Sequence, residues 1–208
     1  MSGILVLGAG GHGKVVADIL LASGIDVFGF LDDNPSAHGT QILGLPVLGY
    51  TYNYPQYKPV GLIMGVGNNL IRQAMVERLR LETSPLWITA VHPRAVVSPS
   101  VQIGAGSVIM AGVVLNADTS IGNHAIVNTG ATIDHDCRIG DYVHIAPGTN
   151  LAGGVSIGDR TLVGVGAVVT PYRTVGADVI IGAGAVVVSD IPPGITVVGV
   201  PAKPLTKP

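Results

Sequence analysis

From residue 91 onward an aliphatic side chain returns at every sixth position: Val91, Val97, Ile103, Ile109, Leu115, Ile121, Val127, Ile133, Ile139, Ile145, Leu151, Ile157, Val163, Val169, Val175 and Ile181. The position four residues after each is small or β-branched, from Ala95 and Val101 through Cys137 to Val179 and Ala185, and only Arg173 departs. That slot and the next aliphatic one are two residues apart, so in extended chain both side chains face the same way. Each hexad reads as one short strand plus a corner, and a six-residue period is the mark of a parallel β-helix. Three hexads close a coil, which gives about five stacked coils here. Gly104, Gly122, Gly140, Gly158 and Gly182 follow the aliphatic residue, where the backbone turns or packs closely. The register breaks at Ser189-Asp190-Ile191-Pro192-Pro193-Gly194, where a cap over the end coil is expected.

The earlier residues follow another pattern. An aliphatic run at residues 4–7 leads into G-A-G-G-H-G-K, then a helical period over 15–22 with Val15, Val16, Ile19 and Leu20 as its apolar face. A second strand at 27–31 ends in Asp32-Asp33-Asn34-Pro35, which makes a parallel β-α-β unit with a right-handed crossover. A third strand at 62–66 and a helix over 70–81, with Ile71, Met75 and Leu79 on one face, complete a small α/β domain. Residues 41–59 are turn-rich, hold Tyr50, Tyr52, Tyr54 and Tyr57, and carry no readable period. Ser84-Pro85 is the expected breaker. The reading is a Rossmann-like α/β domain at 1–85, an all-β helix at 86–190 and a cap or tail at 191–208.

Composition narrows the classes. The 208 residues are 48% hydrophobic but only 4% aromatic, with 30 glycines, so thin layers of Val, Ile and Ala replace a core filled by Phe and Trp. A net charge of −2 gives no broad basic face for nucleic acid. Gly, Asp and Asn interrupt every apolar run short of the roughly 18–20 residues of a membrane span. The first residues show no basic region and no cleavage-like site, so no signal peptide is expected. One cysteine, Cys137, excludes an internal disulfide and fits a reducing cytoplasm.

Two stretches carry candidate chemistry. Gly8, Gly10 and Gly13 match G-x-G-x-x-G, with Asp32 about twenty residues on. Such a turn brings backbone N–H groups and a helix N-terminus to a phosphate, though a full dinucleotide fold needs a second half that this chain lacks. Gly10, Gly11 and His12 are the candidates at the phosphate, and Asp32 and Asp33 at ribose or base; a structural turn and ordinary strand-end acids are the alternatives. The second stretch is Asp134-His135-Asp136, a histidine between two acids where the hexad frame needs nothing polar. It is either a solvated corner or a reactive one.

The unbroken hexads, with G-A-G-G-H-G-K, F-L-D-D, V-G-N-N, V-N-T, I-D-H-D-C, Y-V-H-I-A-P and G-V-P-A-K, resemble the hexapeptide-repeat sugar acetyltransferases: the sialic-acid O-acetyltransferase and bacillosamine and perosamine N-acetyltransferase group. The resemblance covers nearly the whole chain. It implies a left-handed helix, a cytoplasmic homotrimer with sites between subunits, and acetyl-CoA as co-substrate without metal. The implied activity, in glycan biosynthesis, is N-acetylation of the 4-amino group of a nucleotide-linked amino sugar, with UDP as the expected carrier.

His135 would be the general base and Asp136 its orienting acid, with Asp134 the weaker choice. A histidine with a pKa of ~6.5 suits the proton lost when an amine attacks a thioester. Gly67, Asn68 and Asn128 join the substrate residues. His144, Gly153, Val165, Gly182, Ala183 and Lys203 would contact the cofactor; each also reads as a plain coil or tail residue. Cys137 fills a small core slot and reads as packing. Sialic-acid O-acetylation is the alternative within the class. More distant are a metal hydrolyase resembling γ-type carbonic anhydrases, built on His124, His135 and His144, and a non-catalytic sugar-nucleotide sensor.

Overall fold

The computed structural model describes residues 3–82 and 85–205. Ser84 of the expected breaker lies outside the described residues. The chain divides into two compact units, Met1–Pro93 and Arg94–Pro208.

In the first unit β1 (Ile4–Leu7), β2 (Val27–Leu31) and, after a short hairpin of β3 (Gln41–Ile42) and β4 (Leu45–Pro46), β5 (Gly61–Met64) form a parallel sheet in the order β2-β1-β5. Residues 86–88 add to its edge, because Leu62 donates to Leu86 and accepts from Ile88. Helix α1 (Gly11–Ala22) begins inside the glycine turn, earlier than the apolar period suggests, and buries Gly13, Val16, Ala17, Ile19 and Leu20. Val15, assigned to that face from sequence, is 40% exposed.

Helix α2 (Asn69–Glu82) is turned further from expectation: Ile71 is exposed, whereas Arg72, Val76 and Leu79 are buried. The cause is polar. The Arg72 guanidinium donates to the carbonyls of Val66 and Gly67 and to Asn69 Oδ1, satisfying a loop that follows β5. The unassigned stretch holds the β3–β4 hairpin and a 3₁₀ segment, Thr51–Tyr57.

The second unit is a parallel β-helix of three faces. On one, Val96, Val114, Thr132, Asn150, Val168 and Val186 head six stacked strands. The second stacks Gln102, Ser120, Arg138, Ser156 and Thr174. The third stacks Val108, Ile126, His144, Leu162, Ile180 and Thr196. Six rungs, against about five expected, follow because coiling continues past Ile181. The tail from residue 191 thus first extends the helix: Ile191 pairs with Val175 and Thr196 with Ile180. Only then does Lys203–Pro204 lie antiparallel on Thr196–Val198.

Every repeat aliphatic from Ile109 to Ile181 is buried. In the small slot, buried hydroxyls stitch coils together. Ser107, Thr119, Thr149 and Thr161 each donate to a carbonyl on the next coil, and Ser107, Thr119 and Thr161 also accept from its backbone.

Two glycine roles separate. A left-handed residue closes a corner every six positions from Gly106 to Gly184, and the slot also takes Asp118, His124, Asp136, Tyr142, Arg160, Tyr172 and Asp178. The glycines after the aliphatic residue do not turn. They stack, and a Cβ on Gly122 would lie 2.6 Å from Asp141 Oδ1 and from the Gly140 carbonyl carbon. Gly122→Ala therefore forces two coils apart. A loss of about 1–3 kcal/mol is expected, read as a lower Tm, whereas alanine at the exposed Gly10 leaves Tm within a degree or two.

Candidate functional site

The corner between Thr132–Ile133 and Arg138–Ile139 carries the polar insert. It is fixed from both neighbouring coils. Asp136 N–H donates to Ala117 O, the His135 carbonyl accepts from Gly154 N–H, and Thr119 Oγ1 both donates to Asp134 O and accepts from Cys137 N–H. Asp136 sits in the left-handed slot at φ 60°, which a short polar side chain tolerates better than a bulky one. That turn places its carboxylate beside the preceding ring, with His135 Nδ1 2.7 Å from Asp136 Oδ2.

The pair is half exposed, at 51% and 64% of side-chain surface. Asp136, then the charge of Asp134, raises the His135 pKa above its ordinary value. With Nδ1–H donated to Asp136, Nε2 keeps its lone pair free of that bond. Asp134 accepts from Asn116 Nδ2 and from the His135 N–H, and these bonds hold its carboxyl below the usual range.

Gly153 belongs to this corner. A Cβ there would come within 2.7 Å of His135 Cε1 and Nε2, so glycine lets the imidazole lie over the coil below. Cys137 is fully buried and donates to Ala152 O; burial pushes its thiol pKa up, and it packs as expected. A shallow concavity beside the corner is lined by Asn116, Thr132, Asp134, Asn150, Leu151 and Ala152.

The remaining predicted residues lie elsewhere on the helix. Asn128 Nδ2 stands 3.1 Å from His144 Nε2, joining two residues assigned to different ligands. Val165 and Ala183 follow strands of the His144 face, on adjacent coils, and both are exposed. Gly182 packs so closely that a Cβ would meet Val198 at 2.7 Å, and Lys203 lies exposed on the strand paired with Val198. Within one chain, then, His135, Asp136 and Gly153 share one edge, while Asn128, Val165, Gly182 and Ala183 lie along another, at the far side of the face that carries Thr132.

His124 stacks on Tyr142 at a third edge, 5.3 Å between ring centres. Among the described residues no group of three His, Cys, Asp or Glu side chains is placed to hold a metal ion. Nor, among them, is any helix long and apolar enough to cross a membrane.

In the first unit the glycines of the turn divide. Gly8 takes φ +110°, and a Cβ on Gly13 would strike the Gly8 carbonyl, so these two are dictated by the fold. Gly10 and Gly11 are exposed, and a Cβ on either meets nothing within 4 Å. The first turn of α1 has no side-chain cap and no acidic residue, an arrangement that favours an anion at its N–H groups. His12 is the second residue of that turn, and Gly67 lies 3.9 Å from it, measured from the position a Cβ would take.

The two acids have separate duties. Asp32 accepts from Ala9 N–H at 2.6 Å and Asn34 N–H at 2.8 Å, tying the turn to the end of β2. Asp33 accepts from Thr51 N–H and Oγ1 and from Arg78. Burial pushes its carboxyl up, but these bonds outweigh that and hold it below the usual range. Asn68 Oδ1 caps α2 by accepting from Ile71 N–H.

Sequence reasoning missed Thr119, Asn116 and Arg72. The first two stand 15 and 18 residues from Asp134, spacings visible once three hexads make a coil. Nothing in the pattern marks Arg72.

A parallel β-helix wound from unbroken hexads after a small α/β domain is an architecture of hexapeptide-repeat transferases. Residues 3–79 match the PglD N-terminal domain, and residues 118–153 match the bacterial transferase hexapeptide (six repeats). A histidine-to-asparagine variant of perosamine N-acetyltransferase from Caulobacter crescentus, in complex with CoA and GDP-perosamine, is 43% identical at a TM-score of 0.94, over 100% of this chain and 98% of that one. The acetyltransferase domain of PglB from Neisseria gonorrhoeae, in complex with acetyl coenzyme A, is 43% identical at 0.89, over 97% and 98%. UDP-N-acetylbacillosamine N-acetyltransferase of Bacillus subtilis is 40% identical over 114 residues, 53% of this chain and 52% of that protein, so the match spans about half of that relative. The chain belongs to this family of hexapeptide-repeat sugar N-acetyltransferases.

Thr119→Val keeps the volume but strips two bonds from the corner. With Asp134 O and Cys137 N–H left buried and unpaired, about 1–3 kcal/mol should be lost. Thermal melts are expected to drop by several degrees for Thr119→Val and to stay near wild type for Thr119→Ser.

Proposed function

We propose that this protein transfers the acetyl group of acetyl-CoA to the 4-amino group of a nucleotide-linked amino sugar. The observation that carries the reading is the 2.7 Å contact between His135 Nδ1 and Asp136 Oδ2 on an exposed, rigid corner. The amine nitrogen attacks the thioester carbonyl carbon and its surplus proton passes to His135 Nε2. The carbonyl re-forms as the C–S bond breaks, and the proton leaves with the CoA sulfur. Asp136 fixes the tautomer and stabilises the imidazolium, as an acid partner does in a catalytic triad. No covalent enzyme intermediate is needed, and the buried Cys137 takes no part.

On this reading Gly10, Gly11, His12, Asp32, Asp33, Gly67 and Asn68 receive the nucleotide. Asn128 serves the sugar, and His144, Gly153, Val165, Gly182, Ala183 and Lys203 lie along CoA, with Gly153 also flooring the base. UDP is the carrier first expected, and the relatives' names bring GDP equally into the test. The single buried cysteine accords with a cytoplasmic setting. Because His135 and the Asn128 edge lie apart on one helix, a complete site takes edges from two copies. A homotrimer, with three equivalent grooves, is the assembly we assign.

His135→Ala is expected to keep its fold and lose at least a hundredfold in kcat, measured as thiol release from acetyl-CoA with UDP-, GDP- and dTDP-linked 4-amino sugars. Near-normal turnover removes the histidine as base. A hydroxylamine-stable product shows an amide, and a labile one would show O-acetylation. The raised folded pKa of His135 means the base is lost by protonation as pH falls, so activity should decline on a limb above the ordinary value of ~6.5. Asp136→Asn should move that limb to lower pH and lower kcat.

The shared groove has its own check. His135→Ala and His144→Ala chains, each nearly inactive, are expected to regain a measurable fraction of wild-type turnover when mixed into one oligomer. Turnover no higher than that of the separate variants would place the whole site on one chain.

A further inference from the structure

The four tyrosines of residues 50–57 do not share one role. Tyr54 is buried in the first unit, and Tyr57 packs on Phe28 with ring centres 6.0 Å apart. Tyr50 and Tyr52 instead stack on each other, 5.3 Å apart and 14° from parallel, and Tyr52 remains 51% exposed. An exposed large aromatic ring in a chain so poor in them calls for an explanation.

Its setting supplies one. Thr51, between the two tyrosines, gives both its N–H and its hydroxyl to Asp33 Oδ1, and Asp33 is bridged to Arg78. Gly49 O accepts from Asp32 N–H. The ring pair is thereby fixed at the carboxyl end of β2, where parallel sheets bind their ligands. A short chain of contacts links it to the anion turn. Ala9 N–H meets Asp32 Oδ2 at 2.6 Å, His38 Nε2 donates to Asp32 O at 2.8 Å, and the His38 ring meets Tyr50 edge-on at 4.6 Å. Stacked tyrosines held in advance, with Tyr52 half exposed, are suited to a flat heteroaromatic ring.

We infer that Tyr52, backed by Tyr50, is the platform on which the nucleobase of a nucleoside diphosphate stacks while its diphosphate lies at Gly10 and Gly11. The inference rests on the proposed nucleotide-sugar reading and adds the residue that supplies base affinity. Stacking makes few demands on hydrogen-bond pattern, so the platform accepts purine and pyrimidine, and the larger purine gains more from it.

Titration calorimetry with GDP, UDP and inorganic pyrophosphate tests this on the full-length wild type, Tyr52→Leu and Tyr52→Phe. Tyr52→Leu should weaken GDP about tenfold or more and UDP less, leaving pyrophosphate unchanged; Tyr52→Phe should bind both nucleotides as wild type does. Unaltered GDP affinity in Tyr52→Leu, or an equal loss for pyrophosphate, overturns the platform. If wild type binds neither nucleotide, the platform and the proposed substrate class fail together. If nucleotides bind as expected but no acetyl transfer occurs with any linked amino sugar, the platform stands and the proposed reaction falls.

Discussion

The β-helix depends on one repeated interaction: the backbone N–H of a coil bonded to the carbonyl of its neighbour, at corners as well as along faces. At the His135 corner this means Asp136 N–H to Ala117 O on one side and Gly154 N–H to the His135 carbonyl on the other. A loop with its polar backbone satisfied in this way gains little from moving, since any displacement leaves a donor or acceptor bare. Side chains on the outside of the corner take no part in that bonding. The fold can therefore present a histidine and an acid there, held as firmly as strand residues, with no core contact of their own. Rigidity comes from the main chain and chemistry from whatever projects beyond it.

Constraints on the inside explain what was legible. The aliphatic slot keeps its period because from Ile109 to Ile181 each such residue is sealed between faces, and the period alone gave the helix and its three-hexad coil, while the corner at His135 stood out only as a polar insert in that frame. The left-handed slot was hidden by its occupants. Glycine, aspartate, histidine, tyrosine and arginine all fill it, so no residue type announces it, although its six-residue spacing is as strict as that of the aliphatics. The glycines that did stand out proved to mark close approach of coils rather than turning. Gly153 was noticed for a possible ligand, while its contact beneath His135 arises from a neighbouring coil that no local window includes.

In the first unit, local periodicity failed where polar satisfaction overruled it. The period puts Ile71 on the apolar face with Met75 and Leu79, but the loop after β5 has carbonyls that need a donor, and the buried Arg72 guanidinium answers that need while the isoleucine faces water. Asp32 and Asp33 look alike in sequence, yet one ties the glycine turn to the sheet and the other anchors Thr51. Both carboxylates are spent partly on the protein itself. A neighbouring pair of acids can thus divide two structural duties that only the geometry apportions.

The closing segment of the helix has a further consequence. Its final winding is shortened, with Ile180 meeting Thr196 sixteen residues on instead of the usual eighteen, and the chain then reverses so that Lys203 and Pro204 run against Val197 and Val198. A stack of parallel strands with a bare last rung would be an invitation to another molecule to continue it indefinitely. Reversed polarity, a proline without an N–H and an exposed lysine withdraw that invitation on the face where they lie. The same main-chain bonding that makes the rod stiff would otherwise make it a seed for fibres, and a few residues of opposite direction keep it finite.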